Sequence, residues 1–463
     1  MQNFWDYSVW GFVNLMAFLL LSLLLANLLK KSIKPLRRSL IPTSVLGGLI
    51  LLVVSIVYNN IYGISLFNAP IFNGSGQATL EVLTYHCLAL GFIASTLRSS
   101  DSKLTKQRSI EIFDSGITTV STYLIQGILG LLITIAAAML IEGFFPAAGT
   151  LLPFGYGQGT GQALNYGGIY EMDFGFTGGK SFGLTIAAMG FLSAALGGVI
   201  YLNRMKRQGK YEFTDEEIVE AINNEEIQNP DEVPMNGSID KMSIQLAIIF
   251  GCYLLSYILI YVLANLIPGF RSVLYGFNFL IGVLMAILVK KVLQILKANG
   301  IVNKQYINPF LMTRITGFCF DLMIVAGVAA IQMEFLSGTW PVVVILGLVG
   351  FIATYVYVNF VCKKIFPQYR DEQFLVMYGM LTGTASTGMV LLREVDPEYK
   401  GPCADNLVLQ QVPAMIFGFP IMFLALLAPK KPLLTVAILI VFWAVLQLIL
   451  FRGFIFKKGK KSK

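Results

Sequence analysis

The chain has 463 residues, 56% of them hydrophobic and only 13% charged, with a mean hydropathy of +0.70. Soluble domains carry about 25% charged residues, so this composition excludes an ordinary soluble globular protein and points to a chain lying mostly in lipid. The net charge of +8 is gathered in a few loops and no aromatic-basic module accompanies it, so it reads as membrane topology and not as nucleic-acid binding.

Met1 to Trp10 lack the basic region of a cleaved signal peptide, so the first apolar run is expected to be a retained span. Runs of the roughly 20 residues needed to cross hydrocarbon are predicted over 8–29, 41–60, 79–97, 115–141 and 180–203 in the first half. In the second half they fall at 241–266, 271–290, 309–334, 340–362 and 403–428, and an extra span follows at 432–451. The fold class is therefore an all-α polytopic membrane protein. Its parts are a first membrane repeat (1–203), a linker (204–240), a second repeat (241–428) and an extra C-terminal helix with a basic tail (429–463).

A broken segment, 150–172, lies between the fourth and fifth spans. It contains Pro153-Phe154-Gly155-Tyr156-Gly157-Gln158-Gly159-Thr160-Gly161-Gln162. Each glycine costs about 1 kcal/mol in a helix interior, so a regular span is not expected. The segment offers unpaired backbone groups instead, with Thr160 and the amides of Gln158 and Gln162 beside them. A second break, 373–392, holds Leu381-Thr382-Gly383-Thr384-Ala385-Ser386-Thr387-Gly388. Gly159-Thr160 matches Gly383-Thr384 at an offset of 224 (383 − 159), and the same offset carries the span from Ser181 onto the one from Asp405. Two unwound, hydroxyl-rich segments at corresponding places in two halves point to a transporter's binding site. The competing reading is close helix packing through small residues.

Lys and Arg alternate between loops. Lys30, Lys31, Lys34, Arg37 and Arg38 follow the first span, Arg98, Lys103, Lys106 and Arg108 the third, and Arg204, Lys206, Arg207 and Lys210 the fifth. The loops 59–79 and 142–150 carry none. Positive loops face the cytoplasm, which predicts a cell-membrane protein with the N-terminus outside and the C-terminus cytoplasmic. Lys430-Lys431 is the exception. Five spans per half is an odd number, so the second half is expected to be inverted, and the two breaks enter from opposite sides. In the linker, Thr214-Asp215-Glu216-Glu217 has capping-box spacing, which predicts a short cytoplasmic surface helix.

Freed carbonyls and the hydroxyls of Thr382, Thr384 and Thr387 suit a hard monovalent cation, and the N-terminus of a half-helix suits a carboxylate. Asp321 lies mid-span, where a charge is costly and marks a functional site by default. It is a candidate for the coupling ion, with a structural network to Arg314 as the rival reading. Arg393 closes the second break. It offers a bidentate contact to a substrate carboxylate or serves as an interfacial anchor. His86, the only histidine, is a proton relay or a histidine bonded inside the bundle. Cys87, Cys252, Cys319, Cys362 and Cys403 are scattered with no metal-ligand spacing. No hydrolase, kinase or dinucleotide motif appears, so no enzyme activity and no cofactor are expected.

The two breaks resemble those of the glutamate:sodium symporter family. Gly157-Gln158-Gly159-Thr160-Gly161 looks like that family's first hairpin motif, and Gly383-Thr384-Ala385-Ser386-Thr387-Gly388 like its second. Ala89-Leu90-Gly91-Phe92-Ile93-Ala94-Ser95-Thr96-Leu97-Arg98 resembles its third span. The resemblance implies a homodimeric secondary transporter with inverted five-span repeats and re-entrant hairpins. It implies sodium-coupled uptake of glutamate or a related acidic amino acid, by an elevator movement. The candidate substrate site read from the two breaks holds Gln158, Gly159, Thr160, Gly161, Gln162, Gly383, Thr384, Ser386 and Arg393. The chain departs from the pattern at Gln158, where the family has His, and at Ser386, where it has Pro. A di- or tricarboxylate:cation symporter is the alternative within transport. An ion channel, which would place rings of carbonyls on a pore axis, is the alternative outside it.

Overall fold

A computed structural model describes residues 3–98, 105–210, 232, 239–268, 271–396 and 401–455. The linker helix expected at Thr214–Glu217, Lys103 of the third-span loop and the basic tail from Lys457 lie outside the described residues. Among the described residues the regular structure is helical, with one isolated bridge between Glu232 and Gln305 and no strand.

The first half contains α1 (Tyr7–Ser32), α2 (Thr43–Tyr62), α3 (Gly76–Arg98), α4 (Lys106–Leu140), α5 (Leu151–Phe174) and α6 (Gly179–Arg207). The second contains α7 (Lys241–Leu266), α8 (Asn278–Ala298), α9 (Pro309–Ala329), α10 (Trp340–Ile365), α11 (Arg370–Thr382), α12 (Ala385–Arg393), α13 (Cys403–Leu409) and α14 (Gln411–Leu427). Helix α15 (Pro432–Leu450) follows. Among the described residues ten of these, α1 to α4, α6 to α10 and α15, are long and apolar enough to cross a membrane. The chain is an all-helical, multi-pass membrane protein.

Four spans differ from the sequence reading, and the one expected over 115–141 starts nine residues earlier, at Lys106. The span expected over 271–290 is a short turn, Arg271–Gly276, followed by α8, which runs on past Lys290 and Lys291. Long lysine stems let a helix carry its charges to the membrane rim, so the two lysines do not end it. The span expected over 309–334 ends at Ala329, and Met333–Leu336 form a separate 3-10 turn. The span expected over 403–428 is two helices, α13 and α14, bent by 45° at Gln410.

The chain forms two compact units. One comprises Met1–Leu21, Val54–Ser102 and Glu217–Ala329, and the other Ser22–Val53, Lys103–Glu216 and Ala330–Lys463. In the first unit α3 packs against α8 and α9. Gly91 makes room for this: a Cβ there would stand 2.5 Å from the Phe320 ring. The Phe92 ring meets Phe320 and Phe279 at 5.6 and 5.3 Å. The same unit buries an ion pair of Lys241 with Glu232 at 2.8 Å, to which Asn308 Nδ2 donates a further bond of 2.6 Å.

The second unit is built on α6. Its most apolar window is 72% buried, against 22% for α1 and α7, so α6 is a protein-packed helix and those two leave most of their apolar surface uncovered by the chain. Small residues at Gly179, Gly183, Ala187 and Gly190 make one side of α6 and admit the backbone of α5. A Cβ at Gly155 would lie 2.9 Å from the Ala187 nitrogen, and one at Gly183 would meet the Ala163 carbonyl. This is the small-residue packing by which helices associate without a hydrophobic drive between them.

Candidate binding site at two chain breaks

Within α5, Gly159 has φ +79° and ψ −168°, a region open essentially to glycine alone. The chain reverses there. The Phe154 and Tyr166 rings stack at 3.9 Å and 10°, although twelve residues of continuous helix would separate them by about 18 Å. Thr150 and Tyr170, twenty residues apart, also hydrogen-bond to each other. Two tyrosines hold the first arm. Tyr123 on α4 donates to the Gly157 carbonyl at 3.0 Å. Tyr156 donates to the Gly347 carbonyl on α10 at 2.5 Å, and its hydroxyl lies 2.9 Å from Ser193 Oγ on α6.

The second break lies between α11 and α12. Gly383 (φ −146°, ψ −105°) and Thr384 (φ −144°, ψ 172°) leave the helix and the chain again folds back. A glycine pair lets the arms touch: a Cβ at Gly379 would be 2.8 Å from the Gly388 Cα. Thr382 donates its hydroxyl to the Tyr378 carbonyl at 2.7 Å, and the Thr384 and Thr387 hydroxyl oxygens lie 3.4 Å apart. Gln126, on α4, donates to the Leu381 carbonyl at 3.0 Å and to Thr354 Oγ1 on α10 at 2.8 Å.

Both breaks belong to the second unit and meet on α6. A Cβ at Gly190 would stand 2.5 Å from the Thr382 carbonyl oxygen and 3.2 Å from the Tyr156 Cα. The missing side chain therefore lets both backbones reach one point of α6. Gly159, Thr160, Gly161, Gln162, Thr382, Gly383, Thr384 and Thr387 are buried there, while Gln158 and Ser386 are half-buried. Gln162 accepts from Asn165 at 3.1 Å through its oxygen. Its Nε2 is a buried donor with no partner.

Two candidates lie elsewhere. Arg393 is exposed at the last turn of α12, about 12 Å along the helix from Ala385 at 1.5 Å per residue. Asp321 belongs to the first unit, on an exposed position of α9. So does His86, whose Nδ1 lies 2.6 Å from the Tyr253 hydroxyl. All five cysteines are free and buried. Among the described residues no group of three or more His, Cys, Asp or Glu side chains is placed to hold a metal ion.

Sequence reading missed Tyr123, Tyr156, Gln126 and Thr354. Gln126 carried a signal, since it is the one amide in an otherwise apolar stretch, Leu124-Ile125-Gln126-Gly127-Ile128. An open cleft near Lys106, Glu111, Asp114 and Tyr369 is separate from the breaks: Asp114 and Gln126 are twelve residues, or about 18 Å, apart along α4. No model of a known protein family, no curated protein and no solved structure matches the chain.

Proposed function

We propose that the protein is a secondary active transporter that couples sodium entry to uptake of a small carboxylate-bearing solute, with glutamate or a related acidic amino acid as the favoured substrate. The observation that carries this reading is the meeting of the two breaks on Gly190 inside one compact unit. Paired interruptions at corresponding places of two halves are how transporters build a substrate site near the bilayer midplane. Non-helical backbone at that depth is tolerated where it is buried in protein or lines a cavity, and both breaks are buried.

The donors fit an anion. Gln162 Nε2 has a proton to give and no acceptor, and the N-terminal end of the helical arm that begins at Thr160 offers backbone N–H groups of the kind that hold carboxylates. Thr160 and Thr384 are the paired hydroxyls of the site. The oxygens of Thr382, Thr384 and Thr387 fit the coupling cation.

Inverted repeats and re-entrant hairpins follow from the same reading. Some corresponding spans sort together: the first unit takes α3 with α9 and the second α4 to α6 with α10 to α14, while α8 lies in the first unit and most of its counterpart α2 in the second. Such sorting is expected of duplicated halves. The elevator movement and homodimer implied by the symporter resemblance belong to this proposal, with the unit holding both breaks as the moving one.

An uptake screen tests it. The purified chain in proteoliposomes is given labelled amino acids and di- or tricarboxylates under sodium, potassium or proton gradients. Sodium-driven accumulation with counterflow of an acidic solute is the expected result. Solute flux without counterflow would identify a channel and overturn the reading.

A further inference from the structure

We propose that Gln126 on α4, held by Thr354 on α10, completes a binding site for a monovalent alkali cation, sodium above all, at the C-terminal end of α11. The inference rests on the transport reading for its role as the coupling-ion site, and on the following geometry for its existence.

Gln126 is fully buried. Its Nε2 donates to the Leu381 carbonyl and to Thr354 Oγ1. A carbonyl only accepts, so the amide cannot be turned over without setting two acceptors against each other. Its orientation is thus fixed, and Oε1 is left as a buried acceptor with no partner. An orphan of this kind costs about 1–3 kcal/mol, and a cation on Oε1 would remove that penalty.

The end of α11 that Gln126 touches through the Leu381 carbonyl carries further oxygens. The last carbonyls of a helix have no intrahelical donor, and α11 ends at Thr382. That end also carries the negative pole of the helix dipole. Thr382 has committed its proton to the Tyr378 carbonyl, so only lone pairs remain on its oxygen. All of these ligands are neutral. Calcium and magnesium sites are normally built with carboxylates, so neutral oxygens select a monovalent ion. Thr354 acts by positioning: together with the Leu381 carbonyl it holds Nε2 and so fixes where Oε1 sits.

Thermal unfolding of the purified full chain in detergent tests the site, with NaCl, LiCl, KCl or choline chloride at equal ionic strength and no organic solute present. Sodium should raise the unfolding midpoint saturably, and choline should not. Gln126→Leu should abolish the sodium-dependent part. Thr354→Val should raise the half-saturating sodium concentration about tenfold, the equivalent of one lost hydrogen bond to the site. A wild-type midpoint equal in sodium and choline, or Gln126→Leu with unchanged sodium dependence, overturns the site. Should Gln126→Leu fail to fold, Thr354→Val decides, and an unchanged half-saturating concentration overturns the site. Because no solute is present, a chain that transports nothing can still pass this test. A chain that transports but whose sodium response ignores Gln126 loses this site and keeps the transport reading.

Discussion

At Gly159 the chain turns on a single residue with φ +79°, whereas between α11 and α12 it turns over two residues with φ near −145°. The first conformation is nearly closed to residues with a Cβ; in the second, φ is negative at both residues and Thr384 is extended backbone. The first break is therefore written into one glycine. The second is held by what packs around it: Gly379 against Gly388, Phe191 against Gly383, and Gln126 against Leu381. Breaks of similar sequence thus fail in different ways. One is sensitive to dihedral strain and the other to space.

The point they share is Gly190, and it gives the largest expected effect. Gly190→Ala would press a methyl group against the Thr382 carbonyl and the Tyr156 backbone together. Neither neighbour can rotate away, so α5 or α11 must shift. Overpacking typically costs about 1–3 kcal/mol, and the upper end is expected here. Denaturant unfolding in detergent measures it. Wild-type stability in this variant would mean the two breaks do not press on α6 as described.

The contrast itself is tested by a pair of alanines. Gly159→Ala should destabilise the fold by about 2 kcal/mol, within the 1–3 kcal/mol range for a strained backbone position. Gly383→Ala should lose about half of that or less. Its Cβ would meet Thr387 Oγ1 at 2.8 Å, a Phe191 ring carbon at 3.0 Å and the Gly379 carbonyl oxygen at 3.1 Å, a cost of space and not of a positive φ. Equal losses would erase the distinction between a dihedral break and a packed one.

These positions show which part of the molecule was legible in its sequence. Glycines marked both breaks, because Gly159 and Gly383 stand where the helical backbone stops, although Gly155 and Gly157 stay helical. Apolar run length located the spans, because the bilayer imposes it. What stayed hidden depends on contacts between distant residues. Gln126 and Leu381 are 255 positions apart, and no periodicity links them. The 45° bend at Gln410 was equally hidden: α13 and α14 together are long and apolar enough for one span. Arg393 was drawn toward the site by its nearness in sequence to Gly388, while the helical rise of α12 carries it along to an exposed turn.

A smaller effect separates the tyrosine clamp from the glycine turn. Tyr123→Phe keeps the ring and removes only the donor to the Gly157 carbonyl. One buried hydrogen bond is worth about 0.5–1.5 kcal/mol, and more when its partner is left orphaned, so a loss of about 1 kcal/mol is expected. The second break has no comparable tyrosine donor at its tip, where a glutamine serves instead. If Tyr123→Phe matched Gly159→Ala, the clamp and not the glycine dihedral would define the first break.

The smallest expected effect on stability falls on Gln162, and there stability and transport should part. Its Nε2 makes no bond in the fold, and only its oxygen is engaged, by the half-buried Asn165. Gln162→Met keeps the length of the side chain, removes the unpartnered donor and fills the same volume with apolar atoms. Removing a donor that was never satisfied relieves a desolvation penalty, which offsets the loss of the Asn165 contact, so the net change should lie within about 0.5 kcal/mol of zero. Uptake should fall much further. A donor that serves a charged substrate contributes about 1.5–3 kcal/mol, which is roughly tenfold to a hundredfold in apparent affinity. Gln162→Glu sharpens the test, because it retains the oxygen that Asn165 needs and replaces the donor with negative charge. If the site holds a carboxylate, this variant should bind it more weakly than Gln162→Met does. If both variants transport like the wild type, Gln162 does not touch the substrate. The difference between the breaks would then lie in backbone geometry alone.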